Sequence, residues 1–150
     1  MSSDPSSTGL WPTLTLRDTD AMTAWLAAVG FVENAMYRDE DGVLVHGEVF
    51  WPGGGGLMLG AERENPHWPA RAGGAATYLV TDDVDGVFAA ATGAGADAVQ
   101  EPQDGDQGRS ASVADPEGNL WAFGTYVPTA MPAAQSSDPG TPPPSTPQAD

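Results

Sequence analysis

The 150-residue chain contains no cysteine. Disulfide bridges, thiolate metal sites and a cysteine nucleophile are therefore excluded. Positive charge is nearly as scarce. All five basic residues are arginines, at 17, 38, 63, 71 and 109, against 21 acids, for a formal net charge of −16. Three of the acids, Asp4, Asp138 and Asp150, lie outside residues 10–127, which leaves 18 against five arginines, net −13. Phosphate backbones and anionic lipid surfaces are both bound through cationic residues, so neither a nucleic-acid nor a membrane partner is expected. An acidic body keeps a chain soluble and attracts cationic small molecules. No run of 18 apolar residues is present to form a transmembrane helix. Residues 1–9 are rich in Ser and have neither the basic nor the apolar segment of a secretory leader, so a cytoplasmic location is expected. With only His46 and His67 available, no Ser/His/Asp signature stands out.

What is present is a regular alternation of short apolar runs and turn residues. Leu10 to Arg17 reads as a strand, and Asp18-Thr19-Asp20 supplies N-cap oxygens. Met22, Trp25, Leu26 and Val29 then recur at helical spacing up to Gly30, a C-terminal stop. Strands follow at Phe31–Arg38, Val43–Trp51 and Leu57–Ala61, separated by Asp39-Glu40-Asp41-Gly42 and by Pro52 with Gly53–Gly56. After a connector over 62–74 the order recurs. Ala75–Thr81 is a strand, Asp82-Asp83 caps a helix bearing Val84, Val87, Phe88 and Ala91, and strands are expected near Asp97–Gln100, Gly108–Ala114 and Leu120–Tyr126. Asp18 and Asp83, Asp20 and Asp85, and Gly30 and Gly95 are each 65 residues apart. The fold class is thus α+β: two βαβββ modules, about 10–61 and 75–126, in one domain over 10–127. Residues 128–150 hold half of the 14 prolines and little apolar surface, so they and residues 1–9 are expected to be disordered. The run Pro142-Pro143-Pro144 in that tail is a candidate docking segment.

The stretch Asp115-Pro116-Glu117-Gly118-Asn119-Leu120-Trp121 is turn chemistry feeding a buried last strand. With the tandem repeat it resembles the vicinal oxygen chelate superfamily, the glyoxalase / bleomycin-resistance / dioxygenase group. The resemblance implies curved mixed sheets around a cup, and often a homodimer. In metalloenzymes of the group, His and Glu ligands begin the first strand and lie in the last strand of each module. By the offset of 65, those positions fall here at Trp11, Ala76, Leu57 and Ala122. None of the four coordinates a divalent ion, so no metal and no cofactor is expected. The start Pro12-Thr13-Leu14-Thr15-Leu16-Arg17-Asp18 and the segment Leu44-Val45-His46-Gly47-Glu48-Val49 are similar to metal-free bleomycin-resistance and PhnB-like members.

That likeness implies a binding protein that sequesters an aromatic, cationic small molecule such as an antibiotic. The alternative is an enzyme of the same superfamily, a glyoxalase-like lyase or a cofactor-free proton-transfer enzyme using His46 and Glu48. Strand alternation groups Leu44, His46, Glu48 and Phe50 on one face. The family register adds Trp11, Thr13, Leu57, Leu59, Ala76, Tyr78, Leu120 and Ala122 to the cup. Apolar residues where ligands were expected make a greasy pocket, with Trp11 and Tyr78 as stacking rings. Trp68, between Pro66 and Pro69, is placed to close the pocket or meet a second subunit. Trp25 is assigned to the core, and Trp121 and Phe123 to the layer behind the cup.

Overall fold

A computed structural model describes residues 9–128. The expected disorder of 1–9 and 128–150, and the candidate segment Pro142-Pro143-Pro144, fall outside the described residues except at Gly9 and Pro128. The first module runs β1 (Thr13–Leu16), α1 (Thr19–Val29), β2 (Val32–Arg38), β3 (Leu44–Phe50) and β4 (Gly56–Ala61). The second runs β5 (Ala76–Val80), α2 (Val84–Gly93), β6 (Asp97–Gly105), β7 (Gly108–Ala114) and β8 (Leu120–Gly124). Each module forms one open four-stranded mixed sheet. The strand orders, β1-β4-β3-β2 and β5-β8-β7-β6, are the same permutation. The first strand of each lies parallel to the last, and the remaining pairs are antiparallel.

The helices begin where the sequence supplies side-chain oxygens. Asp18 accepts from the Ala21 amide at 3.1 Å and Asp83 from the Gly86 amide at 3.0 Å, satisfying amide groups that have no helical partner. Gly30 ends α1 at φ 133°, a conformation that a side chain would strain. The apolar face of α1 (Met22, Trp25, Leu26 and Val29) is buried against both sheets and α2. The Trp25 and Trp121 rings meet at 5.5 Å, tilted by 53°, and the Trp25 indole N–H donates to the Ala91 carbonyl at 3.1 Å. Phe31 then touches both Trp121 and Trp51, at ring distances of 5.9 and 5.0 Å. One aromatic spine therefore joins the modules in a single core, each buried ring contributing roughly 1.5–3 kcal/mol. Trp25, Trp121 and Phe123 are all in that core, as expected.

The closing turn of the second module is densely hydrogen-bonded. Asp115 is only 4% exposed. Its Oδ1 accepts from the amides of Glu117 and Asn119 at 2.8 and 3.0 Å. Its Oδ2 accepts from Asn119 Nδ2 and Trp121 Nε1 at 2.9 and 2.8 Å. Asn119 in turn accepts from the Ala75 amide at 2.9 Å, fixing the start of β5. Glu117, at the tip of the turn, reaches the other module, where its carboxylate accepts from the amides of Arg17 and Asp18.

Three expectations are corrected. First, strict alternation placed Leu44 beside His46. The pairs Tyr37–His46 and Arg38–Leu44 skip Val45, so β3 carries a bulge there and Leu44 turns into the core. Second, Leu57 and Leu59 were expected on the cup face. Both are 3% exposed and lie in the core. The cause is a one-residue slip in the repeat: Thr13 pairs Met58 while Tyr78 pairs Ala122, so the last strands are 64 residues apart rather than 65. A slip of one turns every side chain over. Third, β6 continues to Gly105 instead of stopping near Gln100. It is an outer strand with irregular pairing between Ala98 and Gln103, and only such a strand accommodates Pro102.

Candidate functional site

The face of the first sheet turned away from the helices carries most of the expected site. Pairing across the strands aligns Thr13, Met58 and Glu48 in one row. Trp11 and Thr15 flank Thr13 along the chain, and Phe50 and His46 flank Glu48 along β3. At one end the Trp11 and Phe50 rings lie 5.6 Å apart at an angle of 50°. They close over Gly56, where a Cβ would collide with both rings and with the Val49 carbonyl. At the other end residues of the connector border a half-open cavity of about 240 Å³. Thr13, Thr15, His46 and Met58 line it from the sheet, and Arg63, Asn65 and Trp68 from the connector. The distance from Trp11 to Thr15 along an extended chain is about 13 Å, so the ring pair and the cavity lie near one another on one face of the sheet.

Between the ends lies a polar chain. Asn34 Nδ2 donates to Glu48 Oε1 at 2.8 Å, and Glu48 Oε2 is 2.8 Å from His46 Nε2. Tyr37 stacks on the His46 ring at 6.0 Å. The hydrogen bonds from His46 and Asn34 hold the Glu48 carboxyl below its ordinary 4.5. A lowered carboxyl keeps its charge as pH falls through the usual carboxylate range and loses it only below. The charge offered to a bound cation is therefore present above that lowered value. Asn34 reaches Glu48 because β2 bulges there, Glu33 pairing Val49 and Ala35 pairing Glu48.

Of the ten residues expected to bind ligand, Thr13, His46, Leu59 and Trp68 border the cavity, and Trp11, Glu48 and Phe50 lie beside it on the same sheet. Leu59 contributes only to its floor, and Leu57 is behind it in the core. Tyr78 and Ala122 are elsewhere, on the exposed face of the second sheet, with Ala76, Ser112, Val99 and Leu120. There the Tyr78 hydroxyl donates to the Tyr126 carbonyl at 2.7 Å, and partial burial raises its phenol above the ordinary value. Met58, Thr15, Asn34, Tyr37 and Arg63 were not anticipated. The one signal for Met58 was its place between Leu57 and Leu59 on a strand that had to present one face to the core.

A family model, the Glyoxalase/Bleomycin resistance protein/Dioxygenase superfamily, matches residues 10–123. The chain belongs to that superfamily. Among solved structures, TioX from Micromonospora sp. ML1 is 33% identical, over 79% of this chain and 100% of that one, with a TM-score of 0.63. TnmS3, an antibiotic binding protein from Streptomyces sp. CB03234, is 24% identical over 79% of this chain and 96% of its own, at a TM-score of 0.56. A glyoxylase/bleomycin resistance protein/dioxygenase domain from Frankia sp. EAN1pec is 18% identical over 81% and 98%, at a TM-score of 0.63, and shares the fold alone. No curated protein matches the chain.

Metalloenzymes of the superfamily bring four ligands into the cup. With the strand slip corrected, those places hold Trp11, Met58, Ala76 and Ala122. Indole and methyl groups donate no lone pair to a divalent ion, and a lone thioether does not hold one. Among the described residues no three His, Asp or Glu side chains are grouped to hold a metal. The residues of this site do not fit the superfamily's metal. Among the described residues no helix is long and apolar enough to cross a membrane.

Proposed function

We propose that the groove on the first sheet binds a planar, ring-bearing, positively charged small molecule without a metal, in the manner of a bleomycin-resistance-type protein sequestering an antibiotic. The observation that carries this reading is a row of contacts along one face. Rings lie at both ends, Trp11 with Phe50 and Trp68, and a carboxylate held in its charged form stands between them. Stacking and apolar contact supply most of the affinity, whereas the net charge of −16 mainly accelerates the encounter of a cation. The likeness to TioX supports the assignment at the level of family, and TnmS3 shows the same fold in a protein described as antibiotic binding.

The test compares N-methylquinolinium with neutral quinoline by calorimetric titration. The cation is expected to bind more tightly, and Glu48→Gln to weaken the cation about fivefold while sparing quinoline. Added salt should reduce the cation's association rate more than it changes dissociation. Equal affinity for both probes in both proteins would sink the charge assignment.

A second reading is favoured by the Asn34–Glu48–His46 chain, which orients an imidazole as a proton acceptor would need. In that reading the bound molecule is turned over. Recovery of the probe unchanged after prolonged incubation supports binding alone.

The second sheet exposes Val99, Leu120 and Tyr78 beside Ala76 and Ala122, a side-by-side apolar group at the surface. We infer that a second copy of the chain covers this face. Sedimentation velocity at micromolar concentration is expected to show a homodimer, and a monomer alone would overturn the assignment.

A further inference from the structure

The arginines of this acidic chain are not distributed evenly. Arg17, Arg38 and Arg109 each pair with carboxylates, at 3.9 Å to Glu62, 3.4 Å to Asp20, and 2.9 and 3.1 Å to Asp85 and Asp104. The remaining two, Arg63 and Arg71, both belong to the connector that roofs the groove. Among the described residues Arg63 forms no hydrogen bond or ion pair, and Arg71 donates only to its neighbour, the Ala70 carbonyl. The adjacent Glu62 is engaged elsewhere. Its carboxylate meets Arg17 and accepts from the Ala72 amide at 2.8 Å. A protein with 21 acids has thus left an exposed guanidinium without a carboxylate partner at the rim of its half-open cavity. Around it are the hydroxyls of Thr13 and Thr15 and the Asn65 side chain, while Glu48 does not line that cavity.

We infer that the roofed end of the groove recognises a carboxylate, or an oxygen group of like charge, through Arg63. The ligand is then bipolar: its cationic part lies toward Glu48 and its anionic part under the connector. The inference rests on the ring-binding reading above and names the class of molecule that reading admits. The planar guanidinium presents parallel N–H donors that match a carboxylate two to two. An unpaired cation gains more from such a partner than one already bridged. Thr13 and Thr15 add hydroxyl donors from the sheet side. Trp68, 53% exposed, gives the attached ring a surface to lie against.

The test uses quinoline-2-carboxylate and quinoline-2-carboxamide, which share ring and shape and differ in charge. Both are titrated calorimetrically into the wild type, Arg63→Gln and Arg38→Gln. The ratio of the two affinities removes effects common to both probes. Arg38→Gln removes the same charge from a residue already paired with Asp20, so it reports the change in overall field. Arg63→Gln is expected to lower the carboxylate-to-amide ratio about tenfold, and Arg38→Gln to change it less than about twofold. A ratio that falls equally in both variants, or in neither, overturns the inference. So does binding of N-methylquinolinium with no measurable binding of the carboxylate, an outcome that leaves the ring-binding reading standing. If no quinoline probe of any charge binds, the ring-binding reading itself fails and this inference falls with it.

Discussion

Asp115→Ala is expected to destabilise the protein by about 4 kcal/mol, the largest effect of any single substitution considered, and to lower its melting temperature by about 10–15 °C. The carboxylate is 4% exposed and accepts four hydrogen bonds, from two backbone amides, the Asn119 amide group and the Trp121 indole. Removing it leaves these donors facing a methyl group, each buried orphan costing about 1–3 kcal/mol before water or rearrangement recovers part of the loss. The damage extends beyond the turn. Asn119 holds the start of β5, Trp121 stands in the aromatic spine, and Glu117 holds the junction of β1 and α1. Asp115→Asn separates geometry from acceptor count. Its amide keeps one oxygen for two of the donors but points N–H toward the other two, so about half the loss is expected. Urea and thermal unfolding of the three proteins decide the matter. A loss below about 1 kcal/mol for the alanine variant would show that the turn is held by its backbone conformation instead.

Trp11→Ala is expected to weaken binding of N-methylquinolinium and of quinoline alike by about 30-fold, equivalent to about 2 kcal/mol. The indole meets Phe50 over Gly56, a position that admits no side chain. The ring pair is therefore a wall of the groove, which a bound ring extends by stacking. Truncation removes the apolar contact whatever the ligand's charge, which distinguishes it from Glu48→Gln. Titration of both probes, with circular dichroism to verify folding, measures the effect. A folded variant that binds within about twofold of the wild type would remove Trp11 from the site.

The modules, their order and both helix caps were legible because they rest on local chemistry: Asp at each N-cap, Gly after the helix, and apolar residues at helical spacing. The spacing of 65 between Asp18 and Asp83 was equally plain, but it measures helix to helix and does not carry through the hairpins that follow. There the strand slip exchanges Leu57 for Met58 on the groove face. The bulge at Val45 was hidden for a similar reason. Leu44, Val45 and His46 fit alternation equally well in two registers, and only the partner strand selects one. Trp68 was noticed as an aromatic residue between prolines, whereas Arg63 gave no local sign. Its significance depends on where the other arginines find their carboxylates, a property of the folded chain.

The irregular outer strands bear on how the molecule behaves when crowded with its own copies. An open sheet exposes backbone donors and acceptors along its edges, and a regular edge invites another chain to add a strand. Here β2 is interrupted at Asn34 and kinked opposite Val45. β6 loses its pairing rhythm between Ala98 and Gln103 and contains Pro102, which has no amide hydrogen to donate. Neither strand offers an uninterrupted template for recruiting a neighbour into a continuous fibril. The features that bring Asn34 to Glu48 and turn Leu44 inward therefore also make β2 a poor template for edge-to-edge pairing, leaving β1 and β5 as the regular edges of the two sheets.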